Sequence, residues 1–329
     1  MKSRILLAAL LCGAWALPGA AAAHAQSDNY PNRPIQVVIP FPAGGPTDGM
    51  ARIVSERLST VLGQSIVVDN RGGGAGGSVG GRYVADAKPD GYTILITPGG
   101  SLTTGPAVHK DKIGYDPAKV FTPIAQLIET PNILYVHPDL PVKTMAELLA
   151  YAKANPRKLS WGLQGFGTGT HLMAELFKLE TGLDITLVPY RGTAPMLAAI
   201  LAGDIQIVID PATTSLGHAQ AGKLRPIMIA GSKRFAKLPD VPTAAEAGFP
   251  KLDSPFWLGV VAPTGTPANV ITKLNSAFRD ALAQPKTRER LAQLGAESKI
   301  GTPEEFGALL KKERAFWTDI VEAAKITVK

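Results

Sequence analysis

The chain has 329 residues, 45% hydrophobic and 19% charged, which suits about two globular domains and excludes wholesale disorder. Its 34 Lys and Arg against 27 Asp and Glu leave a net charge of +7, and aromatics make up only 6%. The positive charge is spread out and no aromatic platform interleaves with it, so a nucleic-acid surface is excluded; the mild excess suits small anions.

Lys2 and Arg4 open the chain, Ile5 to Leu17 is mostly apolar, Pro18-Gly19 interrupts it, and Ala23-His24-Ala25 has the small-x-small cleavage pattern. This reads as a secretory leader, residues 1–25, with the exported chain starting at Gln26. The apolar stretch is too short and too interrupted for a membrane span. The single cysteine, Cys12, falls inside the leader. The exported chain is therefore expected to have no disulfide, no Cys nucleophile and no thiolate metal site.

Strands then alternate with helices. Ile35–Phe41 is an apolar strand run. Met50, Ile53, Val54, Leu58, Val61 and Leu62 recur at helical spacing, and Gly63 stops them. Ser65–Val68, Tyr92–Thr97 and Ile133–Val136 are the next strands, and Met145–Ala154 is a helix ended by Asn155-Pro156. Strand Leu159–Leu163, helix His171–Glu180, strand Ile185–Val188, helix Ala194–Ala202 and strand Ile205–Ile209 follow. A short helix to Ala221 leads into strand Leu224–Ala230. Leu238–Pro250 reads as a Pro-rich surface loop. Phe256–Val261 is a last strand, and beyond Pro267 the chain is mainly helical. Continuous Val/Ile-rich strands separated by helices predict parallel sheets covered on both faces. The strands before about 132 form one set and those from 159 to 230 another. The strands at 133–136 and 256–261 would carry the chain out and back between two α/β lobes with a cleft between them.

Two motifs fail their own requirements. Gly72-Gly73-Gly74-Ala75-Gly76-Gly77 matches a dinucleotide-binding pattern, but no acidic residue ends the following strand at Thr97-Pro98. Gly76-Gly77-Ser78-Val79-Gly80 matches a hydrolase elbow, but a glycine tract separates Ser78 from its strand. His109, His137, His171 and His218 lack metal-ligand spacing. No cofactor and no metal are expected.

Three strand-to-helix loops point to binding: Phe41-Pro42-Ala43-Gly44-Gly45-Pro46-Thr47-Asp48, Gly165-Phe166-Gly167-Thr168-Gly169-Thr170-His171, and Tyr190-Arg191-Gly192-Thr193. Each combines glycines, hydroxyls and the unpaired N–H donors of a helix start, an anion-binding arrangement. Thr47, Asp48, Thr170 and Thr193 could equally serve only as helix caps. Asp48 would repel an anionic ligand, so it is expected to cap its helix or clamp N–H groups of its own loop. His171, beside a helix N-terminus, is expected to be a neutral donor or loop brace.

The runs FPAGGPTDGMAR (Phe41–Arg52), NRGGGAGGSVG (Asn70–Gly80) and DGYT (Asp90–Thr93) resemble the Bug family, the periplasmic substrate-binding proteins of tripartite tricarboxylate transporters. So do Gly165–His171, Val188–Gly192 with Pro195, Ala202-Gly203, LPDVPTAAEAG (Leu238–Gly248), Trp257–Pro263 and Gly265-Thr266-Pro267. The likeness spans essentially the whole exported chain in order. It implies an α/β two-lobed periplasmic binding protein, type II-like, with two parallel-rich sheets, crossing hinge strands and a cleft. Lobe I would be 26–132 and 256–329, lobe II 133–255. It also implies a receptor rather than an enzyme, located in the periplasm. It would bind a small organic carboxylate, a di-, tri- or aromatic carboxylate, between the lobes and pass it, as a monomer, to the membrane subunits of the transporter. A carboxylate sensor for a signalling partner and a Ser78 hydrolase are the alternatives. The expected ligand-binding residues are Phe41, Ala43, Gly44, Gly45, Asp48, Ser101, Phe166, Gly167, Thr168, Gly169, Thr170, His171, Tyr190 and Asp210. The chain departs from the resemblance at Phe166, where many members carry Asn, and at Ala199, where Asp is frequent. Phe166 would suit a more apolar or aromatic ligand.

Overall fold

A computed structural model describes residues 29–326; the expected leader and its cleavage site lie outside them. The first sheet begins with β1 (Ile35–Ile39), which runs through Phe41–Gly45 into α1 (Pro46–Leu62). Gly63, in the left-handed region at φ 65°, ends that helix, the αL stop expected of glycine. β2 (Ile66–Asn70), α2 (Ser78–Ala85) and β3 (Thr93–Pro98) follow. Short helical turns at Gly99–Leu102 and Thr104–Val108 then lead towards β4 (Phe121–Thr130).

The second sheet is built by β5 (Asn132–Val136), α3 (Met145–Ala154), β6 (Ser160–Leu163), α4 (Gly169–Thr181), β7 (Thr186–Pro189), α5 (Thr193–Ala202), β8 (Ile207–Pro211), α6 (Ala212–Gln220) and β9 (Arg225–Ala230). The chain returns through β10 (Phe256–Pro263) and finishes with α7 (Ala268–Ala283), α8 (Pro285–Gln293), β11 (Glu297–Ser298) and α9 (Pro303–Ala323).

The sheet orders are β11-β4-β10-β3-β1-β2 and β7-β6-β8-β5-β9. The two sheets are mixed rather than parallel throughout. β1 is parallel to β2 and β3, but β10 is antiparallel to both β3 and β4. β6 is parallel to β7 and β8, but β5 is antiparallel to β8 and β9. The physical reason is the crossing itself: β5 and β10 each enter a sheet from the opposite lobe and so run against their neighbours. Pro131 alone separates β4 from β5. The return is tied to this crossing, because Asn132 Nδ2 donates to the Ser254 carbonyl at 2.8 Å.

Both sheets are covered on both faces, as their continuous apolar strands require. In β1, Ile35, Val37 and Ile39 meet Met50, Leu58 and Phe278 of α1 and α7, while Val38 joins Leu95, Trp257, Phe306 and Leu310 on the other face. In β5, Leu134 and Val136 meet Leu172 and Phe177 of α4, while Ile133 and Tyr135 meet Met196 and Ile200 of α5. Each fully buried side chain of this size contributes about 1.5–3 kcal/mol relative to exposure. Trp317 and Ile320, near the end of α9, join the second lobe's core although the helix starts on the first.

Two sequence expectations need correction. β4 was not anticipated as a strand. Its ladder with β10 shifts register twice, between Leu258 and Gly259 and between Val260 and Val261. These bulges leave Ile124-Ala125 and Leu127-Ile128 as adjacent buried pairs, which hides the two-residue period. The Leu238–Pro250 stretch is not wholly a surface loop. Ala244 donates its N–H to Ile229 O at 2.8 Å, and Ala244 and Phe249 are buried in the second lobe.

Candidate functional site

The first loop is held by its own charged network. Asp48 accepts the Gly44 N–H at 2.9 Å, Arg52 Nε at 2.9 and 3.0 Å and Asn70 Nδ2 at 3.0 Å. Asn70 also donates to Phe41 O, and its Oδ1 accepts from Arg52. Burial pushes the Asp48 carboxyl up, but the bonds from Arg52, Gly44 and Asn70 outweigh it and hold the group below its usual range. Asp48 is thus the clamp that shapes the loop, while Ala43 and Gly44 stand exposed beside it. No side chain caps α1, which starts at Gly45-Pro46.

The glycine tract after β2 packs on this loop. At Gly77, φ is 82° and a Cβ would lie 2.8 Å from Pro40 O; at Gly80 a Cβ would lie 2.8 Å from Pro40 Cα. These glycines serve a close backbone approach. Ser78 begins α2 directly after a short helical turn at Ala75–Gly77, not after a strand as a hydrolase elbow requires.

The second loop is braced from within and from the first lobe. Thr168, not Thr170, caps α4: its hydroxyl accepts the His171 N–H at 3.2 Å and donates to Gly165 O at 2.9 Å. Thr170 Oγ1 lies 3.2 Å from Thr168 Oγ1. His171 is buried, and its Nδ1 accepts the Gly167 N–H at 3.0 Å. Its Nε2 lies 3.6 Å from Glu175 Oε1, so the ring braces the loop on one side and meets its own helix on the other. From the first lobe, Thr104 Oγ1 donates to Gly167 O and His109 Nε2 to Phe166 O, each at 3.2 Å. Gly167, at φ 75°, has no room for a Cβ against the His109 ring.

The third loop and Asp210 join the second through Gln164. The Gln164 carbonyl accepts the Gly192 N–H at 3.1 Å, and Tyr190 N–H bonds Leu163 O at 2.9 Å. Gly192 is the N-cap of α5, which no side chain caps, so Thr193 is not a cap. Gln164 Nε2 donates to Asp210 Oδ1 at 2.5 Å, and Thr214 donates to Oδ2. Full burial pushes the Asp210 carboxyl up to about 6, against the pull of Thr214, Ser215 and Gln164.

Of the expected residues, Gly167–His171, Phe166, Tyr190 and Asp210 thus form one cluster, and Phe41, Gly44, Gly45 and Asp48 another. Among the described residues no hydrogen bond joins 41–48 to 165–171. The link runs through the glycine tract, where Gly76 packs on Gly105. Ser101 lies in the helical turn whose Gly100 faces Gly169, and its buried hydroxyl has no partner among the described residues. Sequence reasoning missed Arg52, Asn70, Thr104, His109, Gln164 and Thr214. Arg52 and Asn70 carried a signal, as ends of the runs Phe41–Arg52 and Asn70–Gly80, and so did Gln164, as the polar residue between a strand end and the loop. Among the described residues no three His, Cys, Asp or Glu side chains gather as metal ligands.

Two lobes joined by crossing strands, with glycine-rich helix starts at strand ends in both, define a two-lobed solute-binding protein. Residues 50–326 match the model of the tripartite tricarboxylate transporter family receptor, and the chain belongs to that family. It is a substrate-binding receptor family, not an enzyme family. The chain is similar to the solved structure of R. palustris Rpa4515 with adipate (39% identity, TM-score 0.83, covering 91% of this chain and 99% of that one). It is similar to the periplasmic binding protein BugD (36%, TM-score 0.81, 91% and 100%). It is also similar to MatC from Rhodopseudomonas palustris with bound malate (36%, TM-score 0.79, 89% and 100%). The expected Bug-type, two-lobed α/β receptor is therefore the right family and fold.

Proposed function

We propose that this chain is a periplasmic receptor that holds a small organic carboxylate between lobe I (26–132 and 256–329) and lobe II (133–255). It hands the carboxylate, as a monomer, to the membrane subunits of a tripartite transporter. The observation that carries the reading is that α1 in one lobe and α5 in the other both start at a glycine without a side-chain cap. The N–H donors of their first turns, in α1 those that follow Pro46, are left for an anion. The adipate and malate bound to two relatives support a carboxylate as that anion. We place the ligand between the first loop and the second-lobe loops at Gly167–Thr170 and Tyr190–Thr193, with Phe41, Ala43, Ser101 and Phe166 around it and Asp48, His171 and Asp210 setting the loops. A leader removed after Ala25 delivers the chain to the periplasm.

A thermal-shift screen of mono-, di- and tricarboxylates, followed by calorimetry, tests the reading. A true ligand at 100 times its Kd adds about 2.7 kcal/mol of stability. A folded protein that no carboxylate stabilises and that gives no heat of binding would refute it. Export is checked by intact mass, and Met1 retained on periplasmic protein would exclude cleavage.

A further inference from the structure

We infer that Phe166 makes the cleft selective for carboxylates with a flat apolar body, such as an aromatic ring, over short hydroxylated diacids. The inference rests on the carboxylate reading above and narrows its ligand class.

Phe166 is 48% exposed, and it is the only exposed phenylalanine among the described residues. A loose loop does not explain this. Its carbonyl accepts from His109 of the first lobe, the next carbonyl accepts from Thr104, and the Gly167 N–H is held by His171. One side of the ring meets His171 at 5.2 Å between centroids, with the planes at 81°. The backbone is fixed from both lobes, and the rest of the ring is left uncovered.

The position is specific as well. Phe166 stands two residues before Thr168, the N-cap of α4, so the apolar ring lies beside a helix start that favours an anion. A ligand with a carboxylate at one end and a flat apolar body at the other matches both features at once. Aromatic rings pair well edge-to-face or offset-stacked. A short hydroxy acid would set hydroxyls against the ring, where they lose water without gaining a partner.

Half of a phenylalanine side chain leaves roughly 100 Å² of apolar surface to cover. Covering about half of that is worth about tenfold in affinity. The test is calorimetry of benzoate, isophthalate, adipate and malate on the parent, Phe166→Ala and Phe166→Leu, each confirmed as folded by its melting curve. The parent is expected to bind benzoate or isophthalate more tightly than malate. Phe166→Ala should weaken that aromatic ligand about tenfold and change malate less than threefold, with Phe166→Leu between. The inference is overturned if malate outcompetes both aromatic acids on the parent, or if Phe166→Ala shifts all ligands equally or none. If the parent binds malate or adipate but no aromatic acid, the selectivity fails and the receptor reading stands; if it binds no carboxylate, both fail.

Discussion

Replacing Glu313 by Gln should stabilise the protein at pH 8 and do little at pH 4. Glu313 lies on α9 and accepts the Trp257 indole N–H at 2.8 Å. Burial pushes its carboxyl up to about 7, against hydrogen bonds from Trp257 and Thr103, with the Glu129 charge adding to the rise and Lys312 opposing it. In the unfolded chain the group ionises at the ordinary glutamate value, 4.5. A raised folded-state value means that the contribution to stability is fully present below that ordinary value. It is lost as pH rises through the folded value near 7. At about 1.36 kcal/mol per unit, discounted for the group's partial exposure, the loss amounts to about 2–3 kcal/mol. Glutamine keeps the acceptor for Trp257 and cannot ionise. Melting curves of both proteins at pH 4, 6, 7 and 8 should diverge with rising pH, the variant ending about 4–10 °C higher. An equal gap at every pH, or no gap at pH 8, would refute a neutral buried Glu313.

Asp48→Asn should cost about 1–2 kcal/mol at neutral pH by weakening the clamp on Gly44, Arg52 and Asn70. Because the Asp48 carboxyl is lowered in the folded state, that cost should shrink as pH falls through its folded value, and a pH-independent difference in denaturant midpoint would contradict it. Gly77→Ala places a Cβ against Pro40 in a left-handed conformation, so it should lower stability by about 2 kcal/mol or more; an unchanged melting temperature would mean the tract packs otherwise. Thr104→Val removes the bond from the first lobe to Gly167 O. It should lower stability by about 1 kcal/mol and weaken carboxylate binding about fivefold in calorimetry; unaltered affinity would show that this contact does not support the bound state.

The helices with a clear period were readable from residues alone. Met50, Ile53, Val54 and Leu58 lie on the buried side of α1, and Gly63 ends it. The β6–α4–β7–α5–β8 run was equally clear, because short buried strands alternate there with glycine-marked helix starts. β4 was not, since two bulges and Pro123 break the alternation by which a strand is recognised. The three loops showed themselves because capping and glycine chemistry are local. Which threonine caps α4 was misjudged by two residues, a distance at which only the backbone angles decide. The braces were out of reach: Gln164–Asp210, Thr104–Gly167 and His109–Phe166 join residues 46, 63 and 57 positions apart. Neither composition nor spacing encodes pairings of that range.

The placement of β10 dictates the order in which the molecule can assemble. β10 is paired on both edges, between β3 and β4, yet every strand of the second sheet precedes it in the chain. As the polypeptide is delivered from its N-terminus, the five-stranded sheet can close once Ala230 has emerged, while the six-stranded sheet still lacks its middle. Until then the edges of β3 and β4 are open to pairing with other chains, the state most prone to aggregation. The sheet begun first is thus the last to be able to close, and α9, arriving after β10, supplies side chains to both cores.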